Sequence, residues 1–147
     1  VEEVEVMFSA NPGSPQQALA LVASGGEKSR IMLAFKAAMA TKKTVPTIVL
    51  DEIDSGVSGD VASRMADTMK KMAIGQQVFS VTHLAQVAAV GDNHIAVSKE
   101  TNTENAKTIA VYLDGEERNE AIASILSGSA ITDEARAQAK VLRSQNL

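Results

Sequence analysis

Apolar residues follow two different periodicities along the chain, and the two periodicities alternate. Residues 27–43 and 60–72 carry apolar positions at spacings of three and four, which predicts two amphipathic helices. Residues 47–50 and 77–81 are short and mostly apolar runs, which are typical of strands covered on both faces in a parallel sheet. The alternation predicts an α/β fold with a mostly parallel sheet flanked by helices.

The two ends of the chain carry weaker patterns that complete this outline. The methionines of the second helix are expected to fill the core. A hairpin with a long polar loop and two helices are expected at the end of the chain. The further predicted elements are a strand at 2–9, a helix at 84–90, strands at 94–98 and 108–112, a helix at 116–126 and a helix capped by Thr132.

Composition and charge narrow the classes of protein to which the chain can belong. Its 147 residues fit one domain, and a hydrophobic content of 45% is enough for a core. The lack of cysteine excludes a disulfide framework and a cysteine-ligated zinc. A net charge of -4, one tyrosine and no tryptophan argue against a nucleic-acid groove in these residues. No apolar run reaches the roughly 20 residues needed to cross a bilayer, so no membrane contact is expected.

The segment Ser24-Gly25-Gly26-Glu27 stands at the start of the first predicted helix and has two interpretations. A serine followed three residues later by glutamate is a capping box, which satisfies free amide groups at a helix start. That interpretation leaves the glycines unexplained, because each costs about 0.5 to 1 kcal/mol relative to alanine inside a helix. Two glycines at a helix N-terminus also suit the close approach of an anionic oxygen, such as a terminal phosphate.

Two carboxylates and a histidine follow the ends of the two apolar runs. Asp51 and Glu52 come directly after 47–50, and His83 comes two residues after 77–81. Acidic residues often begin the turn that leaves a strand, and a lone histidine is more often structural than catalytic. As a set, one carboxylate suits Mg2+, the other suits an attacking water, and the histidine suits a phosphate at the same sheet edge. Their order favours phosphoryl hydrolysis.

A nucleotide cradle of the form G-x-x-x-x-G-K-[ST] does not occur in the sequence. At the motifs above, and at the turn Ser55-Gly56-Val57-Ser58, the chain resembles the C-terminal lobe of an ABC-type ATPase head. Within that superfamily it is similar to the RecN family of bacterial DNA repair proteins, which is related to the SMC proteins. Segments such as Phe8–Gly13 and His83–Ala88 extend the resemblance over nearly the whole of residues 1–147. It implies a P-loop NTPase-like fold with a terminal hairpin and two helices.

The resemblance assigns a role to each motif. Ser24–Glu27 correspond to the signature motif and Ser55–Ser58 to the D-loop. Asp51 corresponds to the Mg2+ ligand at the end of the Walker B strand, Glu52 to the catalytic carboxylate and His83 to the switch histidine. The residues expected at the nucleotide are Ser24, Gly25, Gly26, Glu27, Ser55 and Gly56.

The resemblance also implies cofactors and partners. ATP and Mg2+ are the expected cofactors, and two heads of the same protein are expected to dimerise around ATP. DNA is expected to bind parts outside this chain, in a cytoplasmic, nucleoid-associated protein. The chain starts with valine, and an N-terminal lobe with the phosphate-binding loop and a long coiled coil are expected to precede it. The segment alone is therefore expected to be inactive, although the full-length protein is expected to be an ATPase.

Three functions remain open at this point. The leading hypothesis is the C-terminal half of an ATP-hydrolysing head in DNA double-strand break repair. A nucleotide-binding subunit of a membrane transporter shares the same core, although Ser98-Lys99 and the turn at 54–59 resemble the repair family more closely. The third possibility is a dimerisation scaffold without activity of its own.

Overall fold

A computed structural model describes residues 3–9, 11–40, 45–51, 53–101, 106–128 and 130–145, and it confirms the α/β class. The chain divides into two compact units, Val1–Val61 with Lys71–Thr82, and Ala62–Lys70 with His83–Leu147. The elements in chain order are β1 Met7–Phe8, β2 Gln17–Ala18, α1 Leu19–Val22, α2 Gly25–Ala40, β3 Thr47–Leu50, α3 Gly59–Ala73, β4 Gln77–Ser80, α4 Ala85–Val90, β5 His94–Thr101, β6 Ala106–Leu113, α5 Gly115–Ser127 and α6 Asp133–Ser144.

The first unit contains the predicted parallel strand pair, β3 and β4. Thr47 pairs with Gln77 and Leu50 with Ser80, and the Val81 amide donates to the Leu50 carbonyl at 2.9 Å. The expectation that both faces of these strands are covered is wrong. Ile48 and Leu50 are buried, whereas Val49 is 56% exposed, because successive side chains of a strand point to opposite faces. One face of β3 is therefore buried and the other is open.

Helix α2 confirms the first predicted helix, but its apolar face is not covered as a core helix would be. Leu33 is its buried residue, while Phe35 and Met39 are about half exposed. The Lys36 ammonium donates to the Val49 carbonyl at 2.8 Å, which ties the helix to β3. Residues 41–43, which the predicted helix included, lie outside the described residues.

The start of the chain forms a small antiparallel pair instead of the long strand predicted at 2–9. Met7 pairs with Ala18 and Phe8 with Gln17. The Leu19 amide then donates to the Val6 carbonyl at 2.8 Å, and the short helix α1 follows at once. A four-residue helix carries too little periodicity to be visible in the sequence.

The second unit is built around close packing of α4, α5 and α6. Small side chains let the helices approach closely, and ion pairs such as Arg136 to Glu120 at 2.7 Å join α5 to α6. The predicted cap Thr132 is confirmed, since its hydroxyl accepts the Ala135 amide at 3.2 Å. The buried core residues are Ala85, Ala89, Ile122, Ala123, Ala135 and Ala139.

Helix α3 confirms the second long helix, and its methionines are buried as expected. Met65, Met69 and Met72 are each 4 to 5% exposed, whereas Val61 at the start of the helix is 43% exposed. Unbranched methionine side chains adapt to irregular core space. Among the described residues, no helix combines the length and hydrophobicity required to cross a membrane.

The predicted hairpin is confirmed and is longer than expected. Its ladder runs from His94 opposite Leu113 to Thr101 opposite Ala106. This extension is hard to recognise in the sequence, because residues 99–101 and 106–107 are exposed on a two-stranded ribbon and need no apolar face.

A polar cluster joins the base of the hairpin to α5 and α6 within the second unit. The buried Arg118 guanidinium donates to the carbonyls of Gly91 and Asp92, and Arg143 donates to the Asn119 side chain at 2.7 Å. Burial, and then the positive charges of Arg118 and Arg143, lower the pKa of His94 below its ordinary value. This environment supports a structural role for His94.

The helical core of the second unit leads to a stability prediction. Ile122→Ala should lower the free energy of unfolding by about 2 to 5 kcal/mol, because it leaves a cavity at a fully buried position. Ile125→Ala, the same substitution at a residue of α5 that is 37% exposed, should cost clearly less. Urea unfolding of the two variants beside the parent chain measures both effects. Equal losses would contradict the packing described for α5.

Candidate functional site

The start of α2 is closed by a complete capping box. The Ser24 amide and the Ser24 hydroxyl each donate to Glu27 Oε2 at 2.8 Å, and the Glu27 amide lies 3.3 Å from the Ser24 hydroxyl oxygen. The amide hydrogen bond, followed by the hydroxyl hydrogen bond, lowers the pKa of Glu27 below its ordinary value. The capping interpretation is therefore correct, and it accounts for Ser24 and Glu27 together.

The two glycines after Ser24 are under different constraints. A Cβ atom added to Gly26 would lie 3.0 Å from the Ser55 carbonyl oxygen and 3.1 Å from the Arg30 guanidinium. Gly26 is thus explained by packing within the first unit, because backbone oxygen cannot move aside as easily as a flexible side chain. A Cβ atom added to Gly25 would meet no atom within 4 Å. Internal packing does not explain Gly25, whose surroundings leave room for a group from outside.

The turn at 54–58 lies next to this helix start. Its Ser55 carbonyl is the group that Gly26 approaches, and Ser55 itself is exposed. Gly56 has a φ of +69°, a left-handed conformation that favours glycine. The Val57 amide donates to the Asp54 carbonyl at 3.1 Å and closes the turn. The structure therefore brings together two of the predicted nucleotide-binding segments, 24–27 and 55–56.

Asp51 is exposed directly after β3, as the sequence pattern predicted. Glu52, the predicted catalytic carboxylate, lies outside the described residues. No group of three or more histidine, cysteine, aspartate or glutamate side chains in the described ranges is arranged to hold a metal ion. Mg2+ bound to a phosphate commonly has only one or two carboxylate ligands from the protein. A single carboxylate such as Asp51 is therefore enough for this type of Mg2+ binding.

His83 is exposed and directly follows Thr82 in the chain. It belongs to the second unit, whereas Asp51 belongs to the first. The expected meeting of Asp51, Glu52 and His83 at one sheet edge stays a prediction.

Two residues with no role in the sequence analysis stand out at the same segments. Asp54 is only 2% exposed, and the Thr82 hydroxyl donates to its carboxyl group. A buried carboxyl within a turn is uncommon and needs hydrogen-bond partners. The sequence gives no local sign of this pair, because the two residues are 28 positions apart.

A separate apolar cleft in the first unit has a volume of about 610 Å³. Val4, Val6 and Phe35 are among its lining residues, and its charged lining groups are Glu3, Glu5 and Lys28. Two carboxylates beside one ammonium give no net attraction for a phosphate. The cleft is therefore not the phosphate site that the motifs indicate.

Curated proteins similar in sequence are DNA repair proteins. The chain is 42% identical over 142 residues to DNA repair protein RecN of Halalkalibacterium halodurans. This alignment covers 97% of the chain and 25% of that relative. It is 39% identical to RecN of Bacillus subtilis, with 99% and 25% covered, and 40% identical to RecN of Vibrio cholerae, with 96% and 26% covered. The chain thus spans about a quarter of the length of these relatives, at their C-terminal end. No protein-family model matches the chain.

Solved structures similar to the chain are ATPase heads. One comes from work on ATP-driven dimerization and DNA stimulated activation of SMC ATPases, with a TM-score of 0.57, 26% identity, and coverage of 80% of this chain and 70% of that one. The SMC head domain from Thermotoga maritima has a TM-score of 0.51 and 30% identity, with 71% and 38% covered. These likenesses confirm the expected ABC ATPase head fold.

The capping box predicts a pH dependence of stability. Since hydrogen bonds from Ser24 lower the pKa of Glu27 from 4.5, its stabilising effect is complete above pH 4.5 and is lost as pH falls through the lowered pKa. Ser24→Ala should raise the pKa of Glu27 towards 4.5, as measured by NMR titration of its carboxyl carbon. Ser127→Ala removes a hydroxyl bonded to the Ala123 carbonyl at 2.9 Å and should leave that pKa unchanged. An unaltered titration in Ser24→Ala would refute the contribution of the hydroxyl to the capping box, because alanine keeps the backbone amide that also donates to Glu27.

Proposed function

Because this chain belongs with the C-terminal quarter of the RecN DNA repair proteins, we propose that it completes the nucleotide site of an ATPase head. In the full-length protein, the start of α2 would face ATP gripped by the phosphate-binding loop of a second head. ATP would thereby hold two heads together, and hydrolysis would release them. The full-length protein would use this cycle in DNA double-strand break repair.

The unfilled space at Gly25 is the observation that carries this proposal. Gly25 opens α2, and a Cβ atom there would meet no atom within 4 Å, so the residue is free to lie against a phosphate. Backbone amides at a helix N-terminus favour an anion through their direction and through the helix dipole. The exposed Ser24 hydroxyl donates its proton to Glu27 Oε2, so the backbone amides at Gly25 and Gly26, and not this hydroxyl, would meet a terminal phosphate.

The Walker B carboxylates and His83 have separate proposed roles. The exposed Asp51 would hold the Mg2+ shell, and Glu52 would orient and polarise the attacking water. His83 would donate a hydrogen bond to the terminal phosphate. When bound, ATP would supply the phosphoanhydride bond, and Mg2+ would neutralise negative charge on the phosphate oxygens. Ser55 and Gly56 would line the same nucleotide from the turn beside Gly26.

The rival functions have less support. The named relatives are repair proteins and SMC heads, so the comparisons do not favour a transporter subunit. The proposed scaffold role concerns the isolated segment, in which the G-x-x-x-x-G-K-[ST] loop does not occur. Isothermal titration of this chain with ATP and Mg2+ should therefore give no micromolar binding. DNA contact and nucleoid association are proposed for other parts of the full-length protein.

Glu52→Gln tests the proposed hydrolytic role in the full-length protein. The substitution removes a carboxylate that polarises water but keeps the size of the side chain, so ATP binding should stay near normal while turnover falls at least about 100-fold. Head dimers should accumulate with ATP, as measured by analytical ultracentrifugation.

Glu134→Gln provides the matched control, because Glu134 is exposed in the first turn of α6. Its turnover and its dimer fraction should equal those of the parent protein. Parent-like turnover in Glu52→Gln would remove the role assigned to that carboxylate. If the full-length parent protein itself did not hydrolyse ATP, the proposed function as a whole would be overturned.

A further inference from the structure

A partly buried hydrogen bond links two chain segments that carry residues of the proposed site. Asp54 is 2% exposed, and the Thr82 hydroxyl donates to its carboxyl group. Both residues belong to the first unit. Their side chains are short, so a hydrogen bond between them restricts the distance between the two backbones more tightly than a pair of long side chains would.

The position of this hydrogen bond extends the connection between β3 and β4. Just beyond the end of β4, the Val81 amide donates to the Leu50 carbonyl at 2.9 Å. Thr82 is the next residue along the chain, and its side chain adds a further connection to the segment that follows β3. Asp54 supplies the other partner from the turn that follows β3.

Each partner is adjacent in the chain to a residue of the proposed site. Asp54 immediately precedes Ser55, whose carbonyl packs against Gly26, and Thr82 immediately precedes His83. We propose that Asp54 and Thr82 are positioning residues, whose hydrogen bond holds the turn at 54–58 and fixes the backbone from which His83 departs. Their effect on hydrolysis rests on the proposed function, whereas their effect on the turn does not.

Hydrogen exchange in this chain tests the effect on the turn. Thr82→Val keeps the shape of the side chain but removes the donor, so the Val57 amide, which donates to the Asp54 carbonyl at 3.1 Å, should exchange about 10-fold faster or more. Thr82→Ser keeps the hydroxyl and should restore slow exchange. Thr68→Val removes a hydroxyl that donates to the Arg64 carbonyl at 2.8 Å in α3, and should leave the Val57 amide unchanged.

Steady-state kinetics of the full-length protein test the effect on hydrolysis. The concentration of active heads is measured by ATP binding, and kcat is expressed per active head. On this basis Thr82→Val should lower kcat by about 10-fold or more and leave KM for ATP nearly unchanged. The reason is that the phosphate-binding loop grips the phosphates elsewhere in the protein, while the substitution displaces the turn at 54–58 and the backbone before His83. Thr82→Ser should recover most of the lost kcat. A merely structural bond would reduce the number of active heads without changing kcat per head.

A graded variant keeps the test decisive if Thr82→Val does not fold. Thr82→Cys retains a weak S–H donor, so its exchange rate and its kcat should lie between those of Thr82→Ser and the loss expected for Thr82→Val. Parent-like exchange at Val57 together with parent-like kcat in Thr82→Val, or in Thr82→Cys if only that variant folds, would overturn the inference. Faster exchange in a protein whose Glu52→Gln variant hydrolyses ATP normally would instead count against the proposed function alone.

Discussion

The close approach of the start of α2 to the Ser55 carbonyl is the contact on which the candidate site depends. A Cβ atom at position 26 would come within 3.0 Å of that oxygen, so glycine permits a spacing that alanine would disturb. Ser24 and Glu27 fix the same helix end through reciprocal hydrogen bonds. Residues 24–27 and the turn at 54–58 are therefore held together by contacts inside the first unit.

Gly25, the residue before Gly26, is not constrained by neighbouring atoms of the chain. Gly25 has open space where a side chain would stand, so the surface of the helix end stays accessible at the point where its backbone amides begin. The polar side chains near these segments also differ in exposure. Asp54 is buried and bonded to Thr82, while Asp51 and His83 are exposed. The start of α2 and Asp51 are therefore accessible to a molecule from outside the chain, whereas the Asp54 carboxyl group is not.

Local rules explain which parts of this structure were predictable from sequence. The periodicity of α3, the apolar run of β3 and the Thr132 cap of α6 are decided by neighbouring residues, and each is confirmed. Coverage of β3 and of the apolar face of α2 depends on distant partners, and there the expectation of burial failed. The approach of Gly26 to Ser55 is long-range and has no local signature. Glu52 lies outside the described residues, so its placement stays a prediction.

Trans-complementation in the full-length protein tests most directly whether this chain serves a nucleotide held by another head. Gly25→Asp should fold, because an acidic residue is favourable in the first turn of a helix, but its charge should repel phosphate. A second variant lacks the lysine of the phosphate-binding loop. It should be inactive because its own head cannot hold ATP, although the start of α2 is unchanged. Mixed heads should recover ATP turnover, since one of the two sites in a mixed dimer then has both halves intact. No recovery on mixing, with mixed dimers present, would contradict a site shared between heads.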